Sequence, residues 1–247
     1  LTIIFMTEFW LALSFLTTIP TPAIPFVEGG LGRSAKWFPL VGLILGVILA
    51  GSHWLLGLVL PGSITAVLII ALWAWLTGGL HLDGLADCGD GLLAAANRER
   101  RLEILQDSRI GAFGAILLVL FLLAKVTAVA AFSPPAVGLI LAPILARWFL
   151  LIAARQPSAR PGGMGDSFAA SLTPKIFAIA AILPVLLVVV SGWRGGQTVL
   201  AVLLALMVTF AILRMARSRL GGVTGDVFGL VVEMTELAVL LAFAAQF

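Results

Sequence analysis

Charge is what this sequence has least of. Of 247 residues, 15 are Lys or Arg and 12 are Asp or Glu, against 61% apolar residues, whereas about a quarter of a soluble domain is charged. A water-soluble globule is excluded, and the chain reads as an integral membrane protein. Cysteine is nearly absent: Cys88 stands alone, which excludes an internal disulfide and leaves it as a small helix residue. No basic stripe interleaves with aromatics, so nucleic acid is not expected as a partner. No cleavable leader, long linker, soluble domain, low-complexity tail or internal repeat is seen. Residues 1–247 therefore read as a single integral-membrane domain.

What the chain has instead is long apolar runs. A helix needs about 20 residues to cross about 30 Å of hydrocarbon. Runs of that order lie at 39–60, 64–80, 113–132, 137–154, 176–192, 198–213 and 228–245, with a shorter apolar segment at 5–19. The expected fold is all-α, a polytopic helical bundle with about seven transmembrane helices, six to eight, embedded in a lipid bilayer.

The few charges are arranged asymmetrically. Arg33, Lys36, Arg98, Arg100, Arg101, Arg109, Arg155, Arg160, Lys175, Arg214, Arg217 and Arg219 fall in alternate loops, against Arg194 in the others. Cytoplasmic loops retain positive charge, so this side is expected to be cytoplasmic, with the protein multi-pass in the cytoplasmic (inner) membrane. The loop carboxylates lie on the same side, which places any chemistry there.

The densest group of acids is in "HLDGLADCGDG", residues 81–91. Asp83, Asp87 and Asp90 are spaced i, i+4 and i+7, which puts them within about 60° of one helix face. At separations of about 6 Å and an effective dielectric near 20, each close pair repels by roughly 3 kcal/mol. Protonation, a basic partner or a metal must offset this. Three oxygen donors best suit a hard divalent cation such as Mg²⁺, and carboxylates at a membrane edge more often serve function than packing. Gly84, Gly89 and Gly91 weaken the helix, which makes sense if a ligand or another helix approaches its backbone.

Other groups are candidates for substrate contact. In the run 98–109, i,i+4 ion pairs on a surface helix explain most charges. Asp107, Ser108 and Arg109 lead into Gly111 and Gly114 at a helix start, where free N–H groups and Arg109 could hold phosphate. Two Gly-rich loops carry Arg155, Arg160, Gly163, Gly165 and Asp166, and Gly222, Thr224, Gly225 and Asp226; each suits a connector as well as a phosphate cradle. Lys125 and Arg147 fall inside spans and need counterions or an anionic ligand. Glu233 and Glu236 are expected in the first turns of the last span from the cytoplasmic side, His81 directly before the aspartates. Glu233 is the expected general base, its pKa raised by low-dielectric surroundings, with Asp226 and Glu236 as alternatives and His81 as rival.

"HLDGLADCGDG", "DSRIGAFG", "RPGGMGDSF" and "GGVTGD" followed by Glu233 and Glu236, with "FLTTIPTP" and "WFPLVG" upstream, resemble cobalamin synthase, the adenosylcobinamide-GDP ribazoletransferase family, over nearly the whole chain. Gln106, Thr18 and Cys88-Gly89 depart from its usual pattern. The resemblance implies an Mg²⁺-dependent membrane transferase that joins adenosylcobinamide-GDP to α-ribazole, or its 5′-phosphate, and releases GMP. It also implies catalytic roles for the aspartate motif and the late carboxylates; a homo-oligomer is compatible with it. A fainter likeness to CDP-alcohol phosphotransferases fails at Asp87, where they have arginine. A cation- or proton-coupled transporter would also explain intramembrane charges, but transport sites lie mid-membrane between repeated halves.

Overall fold

The computed structural model describes residues 2–245 apart from 26, 134, 135, 161 and 163; of 2–5, 164, 193 and 194 it describes the backbone alone. Twelve α-helices follow in order: α1 (Thr2–Leu16), α2 (Gly30–Ser34), α3 (Phe38–Gly57), α4 (Gly62–Thr77), α5 (Leu80–Leu93), α6 (Arg98–Ile104), α7 (Ala112–Ala130), α8 (Val137–Ala154), α9 (Met164–Ser171), α10 (Pro174–Val190), α11 (Gly196–Leu220) and α12 (Gly225–Ala244). Among the described residues there is no strand, and one isolated bridge joins Ser158 to Val223.

The all-α membrane bundle is what the apolar runs predict, because hydrocarbon leaves helices as the way for an apolar segment to satisfy its own backbone. Among the described residues, five segments are long and apolar enough to cross a membrane: α3 with the turns before it, α7, α8, α11 and α12. The number rises to seven if α4 with α5, bent by 95°, and α9 with α10, bent by 90°, each count as one span. The segment expected at 5–19 is α1, held to the next helix by Glu8, whose carboxylate pairs with Lys36 at 2.6 Å and Arg33 at 3.5 Å.

α8 and α12 are buried along most of their length, while α3, α7 and α11 keep most of theirs open to lipid. α12 is the central helix, packed against α5, α7, α8 and α11. Small residues permit the closest crossings. On α3, a Cβ at Gly42 would lie 2.5 Å from the Pro143 carbonyl oxygen and one at Gly46 2.7 Å from Ile140 Cα, so this GxxxG pair seats α3 directly on α8.

Candidate active site

The site begins with a corner. Gly78 (φ 61°) closes α4 and Gly79 (φ 70°) opens α5, a left-handed pair that L-residues with side chains avoid. The chain turns sharply and α5 runs across the end of the bundle. There it meets α12: a Cβ on Gly84 would lie 2.8 Å from the Asp226 carbonyl oxygen, and one on Gly229 3.0 Å from that of His81. The α5 glycines thus serve helix contact. Gly89 packs on Gly114 of α7, and Gly91 on Leu105.

This crossing brings Asp226, in the first turn of α12, to the aspartates of α5. Asp83 is exposed, while Asp87 and Asp226 are half-buried. Burial, then the charges of Asp83, Asp226 and Asp90, push the Asp87 carboxyl up to about 6. Among the described residues, no Lys or Arg side chain forms an ion pair with Asp83, Asp87 or Asp226. The Thr224 hydroxyl donates to Asp226 Oδ2 at 3.1 Å and also caps α12 by accepting from Val227 N–H at 3.4 Å.

Asp90 departs from the expected trio. Its carboxylate accepts from Gly111 N–H at 2.7 Å and Gly114 N–H at 2.9 Å, so it neutralises itself on the unpaired donors at the start of α7. Two corrections follow. Asp83, Asp87 and Asp90 do not converge, and among the described residues no three His, Cys, Asp or Glu side chains are arranged to hold a metal. The Gly111–Gly114 turn is filled by a carboxylate and is no phosphate cradle. Arg109 is engaged by Asp107 at 2.7 Å on the exposed surface, which holds the Asp107 carboxyl down at about 2; Ser108 beside it is exposed.

A third correction concerns the charges inside the spans. Glu233 and Glu236 are not in the opening turns of α12 but near its middle. Lys125 of α7 donates to Glu233 at 2.8 Å and Glu236 at 2.6 Å, Arg147 of α8 pairs with the other Glu236 oxygen, and all four side chains are at most 4% exposed. Lys125 Nζ also lies 4.0 Å from the centroid of the Trp73 ring. Two cations and two anions cancel, so Lys125 and Arg147 are not free to take a substrate phosphate. Glu233, its lone pairs engaged and about 10 Å along the helix from Asp226 at 1.5 Å per residue, is not placed to act as the base.

The loop arginines knit the charged end together. Instead of i,i+4 pairs along 98–107, Arg98 donates to Leu220 O at 2.7 Å and Arg101 to Leu92 O at 2.6 Å and Ala96 O at 2.9 Å; Arg219 also reaches Leu92 O. These carbonyls end helices or follow their ends, where unpaired acceptors attract cations. One side-chain pair, Arg100 with Glu103, lies on α6 itself. Arg155 lies 5.5 Å over the Phe177 ring. Arg160 donates to Leu102 O, and Gly162 N–H donates to Asp166 at 2.9 Å. Gly222 packs on the Pro157–Ala159 backbone. Gly163 falls outside the described residues.

Two adjoining cavities open beside the carboxylates. The first, about 230 Å³, is walled by Phe15, Leu31, Leu80, Leu150, Phe168 and Phe228, with His81, Asp83 and Asp226 as its polar members. His81 is 3% exposed; burial first, then the charges of Arg147 and Lys125, hold its pKa well below the usual value, so the ring is neutral. The second, about 180 Å³, is lined by Ser158, Arg160, Thr224 and Gly225 and shares Gly165, Gly225 and Phe228 with the first. The structure therefore gathers His81, Asp83, Asp87, Asp226, Arg160, Gly165, Thr224 and Gly225 and leaves Asp107, Ser108, Arg109 and Arg155 apart. Sequence reasoning missed the aromatic wall, because three phenylalanines from α1, α9 and α12 carry no spacing signal in an apolar chain.

Comparison with known proteins identifies the family. The family model described as cobalamin-5-phosphate synthase matches residues 8–244. Similar proteins named adenosylcobinamide-GDP ribazoletransferase include those of Roseiflexus sp. (strain RS-1), 39% identical over 93% of this chain and 86% of that protein, and of Pseudomonas savastanoi pv. phaseolicola (strain 1448A / Race 6), 42% identical over 97% and 99%. The protein of Brevibacillus brevis (strain 47 / JCM 6285 / NBRC 100599), of the same name, is 36% identical over 98% and 99%. No solved structure matches. With the model match and these relatives spanning the motif helix, both Gly-rich loops and the central helix, the chain belongs to the cobalamin-5-phosphate synthase family.

Proposed function

We propose that the transfer takes place where α5 crosses α12, on the cytoplasmic side of the inner membrane, and that it depends on Mg²⁺. A ribose hydroxyl of α-ribazole, or of its 5′-phosphate, attacks the phosphorus that carries cobinamide in adenosylcobinamide-GDP. The new P–O bond forms as the bond to the bridging diphosphate oxygen breaks, and GMP leaves. The observation that carries this placement is that Asp83 and Asp226 line a cavity with the charge of Asp87 beside them, none of the three in an ion pair among the described residues. Hard oxygen donors without a basic partner fit a hard cation, and Mg²⁺ is commonly bound through one or two carboxylates plus substrate phosphate. Asp83 and Asp87, one turn apart on α5, would hold it, and the ion would supply charge neutralisation on the diphosphate.

Asp226 then takes the proton of the attacking hydroxyl. It comes from a different helix, its carboxylate is oriented by the Thr224 hydroxyl, and half-burial favours a carboxylate as a base. The carboxylates gather at one edge of the bundle, which supports an enzyme over a transporter. The test is GMP release by purified protein given adenosylcobinamide-GDP and α-ribazole 5′-phosphate, with Mg²⁺ or with chelator. Release in Mg²⁺ alone is expected, and undiminished release in chelator would sink the metal assignment. Asp226→Asn should abolish turnover yet still bind Mg²⁺, whereas Asp83→Asn should lose both.

A further inference from the structure

We propose that the aromatic cavity receives the base of the nucleoside substrate, a flat bicyclic ring of the benzimidazole kind, and that the corrin macrocycle stays outside. The inference rests on the ribazoletransferase reading. Size decides first. Drug-sized ligands fill roughly 300–1,000 Å³, and about 230 Å³ admits a bicycle but no macrocycle.

Surface chemistry decides next. The wall is six apolar side chains, three of them phenylalanines. The rings are braced from behind: Phe38, fully buried, stacks on Phe168 at 5.8 Å and on Phe15 at 6.0 Å, and Phe168 meets Phe228 edge-on at 6.4 Å. A slot with fixed aromatic walls suits a planar ring. The guanine of the other substrate is also bicyclic, but it carries polar groups on several edges, and burying them unpaired is costly. The wall offers its O6 and N7 acceptors no Asn, Gln, Lys or Arg donor.

Polar detail gives the orientation. His81 Nδ1 is buried and has no partner among the described residues, so the imidazole can bond the ring nitrogen of a benzimidazole. Asp83 and Asp226 share that wall, and a base seated among the phenylalanines leaves its ribose hydroxyls at these carboxylates. The adjoining cavity with Ser158, Arg160 and Thr224 lies beside Phe228, where a 5′-phosphate fits.

Gly165→Leu tests the assignment. A Cβ there would meet Phe228 at 3.5 Å and nothing closer, so the side chain grows into the cavity without striking backbone. The KM for α-ribazole 5′-phosphate should rise by about tenfold, with the KM for adenosylcobinamide-GDP moving by less than about twofold. Equilibrium dialysis of α-ribazole against the variant should show the same loss without turnover. On the wild-type protein, free benzimidazole should compete with α-ribazole 5′-phosphate and not with adenosylcobinamide-GDP. Competition against adenosylcobinamide-GDP instead, or a Gly165→Leu protein with wild-type nucleoside KM, overturns the inference alone. Wild-type protein that releases no GMP overturns the functional reading, and this inference with it.

Discussion

Three aspartates that look alike in sequence have three different situations. Asp90 spends its charge on Gly111 and Gly114; removing such a cap costs about 1 kcal/mol. Asp90→Ala should therefore lower the unfolding midpoint while the Mg²⁺ concentration that half-saturates activity stays near wild type, and a large rise in that concentration would return Asp90 to the metal. Asp87 behaves oppositely. Its carboxyl is raised from 3.8 to about 6, so ionisation is disfavoured in the folded state, and this destabilisation is absent below the unfolded pKa, grows as pH rises from 3.8 to about 6, and is constant above that. Without metal, Asp87→Asn should melt higher than wild type at pH 8, and the difference should vanish towards pH 4. Added Mg²⁺ should raise the wild-type midpoint and not that of the variant, as scanning fluorimetry in detergent can measure.

At the scale of the element, the glycines of the α4–α5 corner separate conformational strain from close packing. Gly79 is left-handed, and a Cβ there meets nothing within 4 Å; Gly79→Ala should cost about 1 kcal/mol of backbone strain with activity retained. Gly84 is helical, but its Cβ would lie 2.8 Å from Asp226 O. Gly84→Val should force α5 from α12, costing about 1–3 kcal/mol and nearly all turnover, because Asp226 moves away from Asp83 and Asp87. Equal activity losses in the two variants would mean that the corner, not the crossing, positions the carboxylates.

Across the whole molecule, the ion group of Lys125, Arg147, Glu233 and Glu236 ties α7, α8 and α12 below the cavity. Breaking one side of a buried pair costs about 3–5 kcal/mol because the partner is left charged in a dry interior. Lys125→Met should be strongly destabilising, and adding Glu233→Gln, which leaves Glu236 balanced by Arg147, should restore most of the loss; a double variant no better than the single would mean that Lys125 acts through packing on Trp73. The same arrangement bears on topology. Cysteines at the exposed Ser108 and Ser218 should label from the cytoplasm and one at the exposed Ser63, in the first turn of α4, from the other side, against a buried native Cys88.

The apolar helical spans were legible in the sequence, because they depend on a local quantity, hydropathy over about 20 residues; the bias of basic residues between loops and the one-turn spacing of the aspartates are local readings of the same kind. The 3.6-residue period puts Asp83, Asp87 and Asp90 on one face, but not against the same neighbour. Which carboxylate meets a helix N-terminus, which faces a cavity and which joins from another helix depends on how α5, α7 and α12 cross, and those crossings are set by backbone contacts at Gly84, Gly114 and Gly229. The partners of Lys125 and Arg147 lie about a hundred residues away along the chain, beyond any periodic signal. The sequence determined that charges would be few, one-sided and therefore consequential; only the tertiary structure decided which of them cancel inside the bundle and which stay open at its edge, because charge neutralisation is a matter of distance in space.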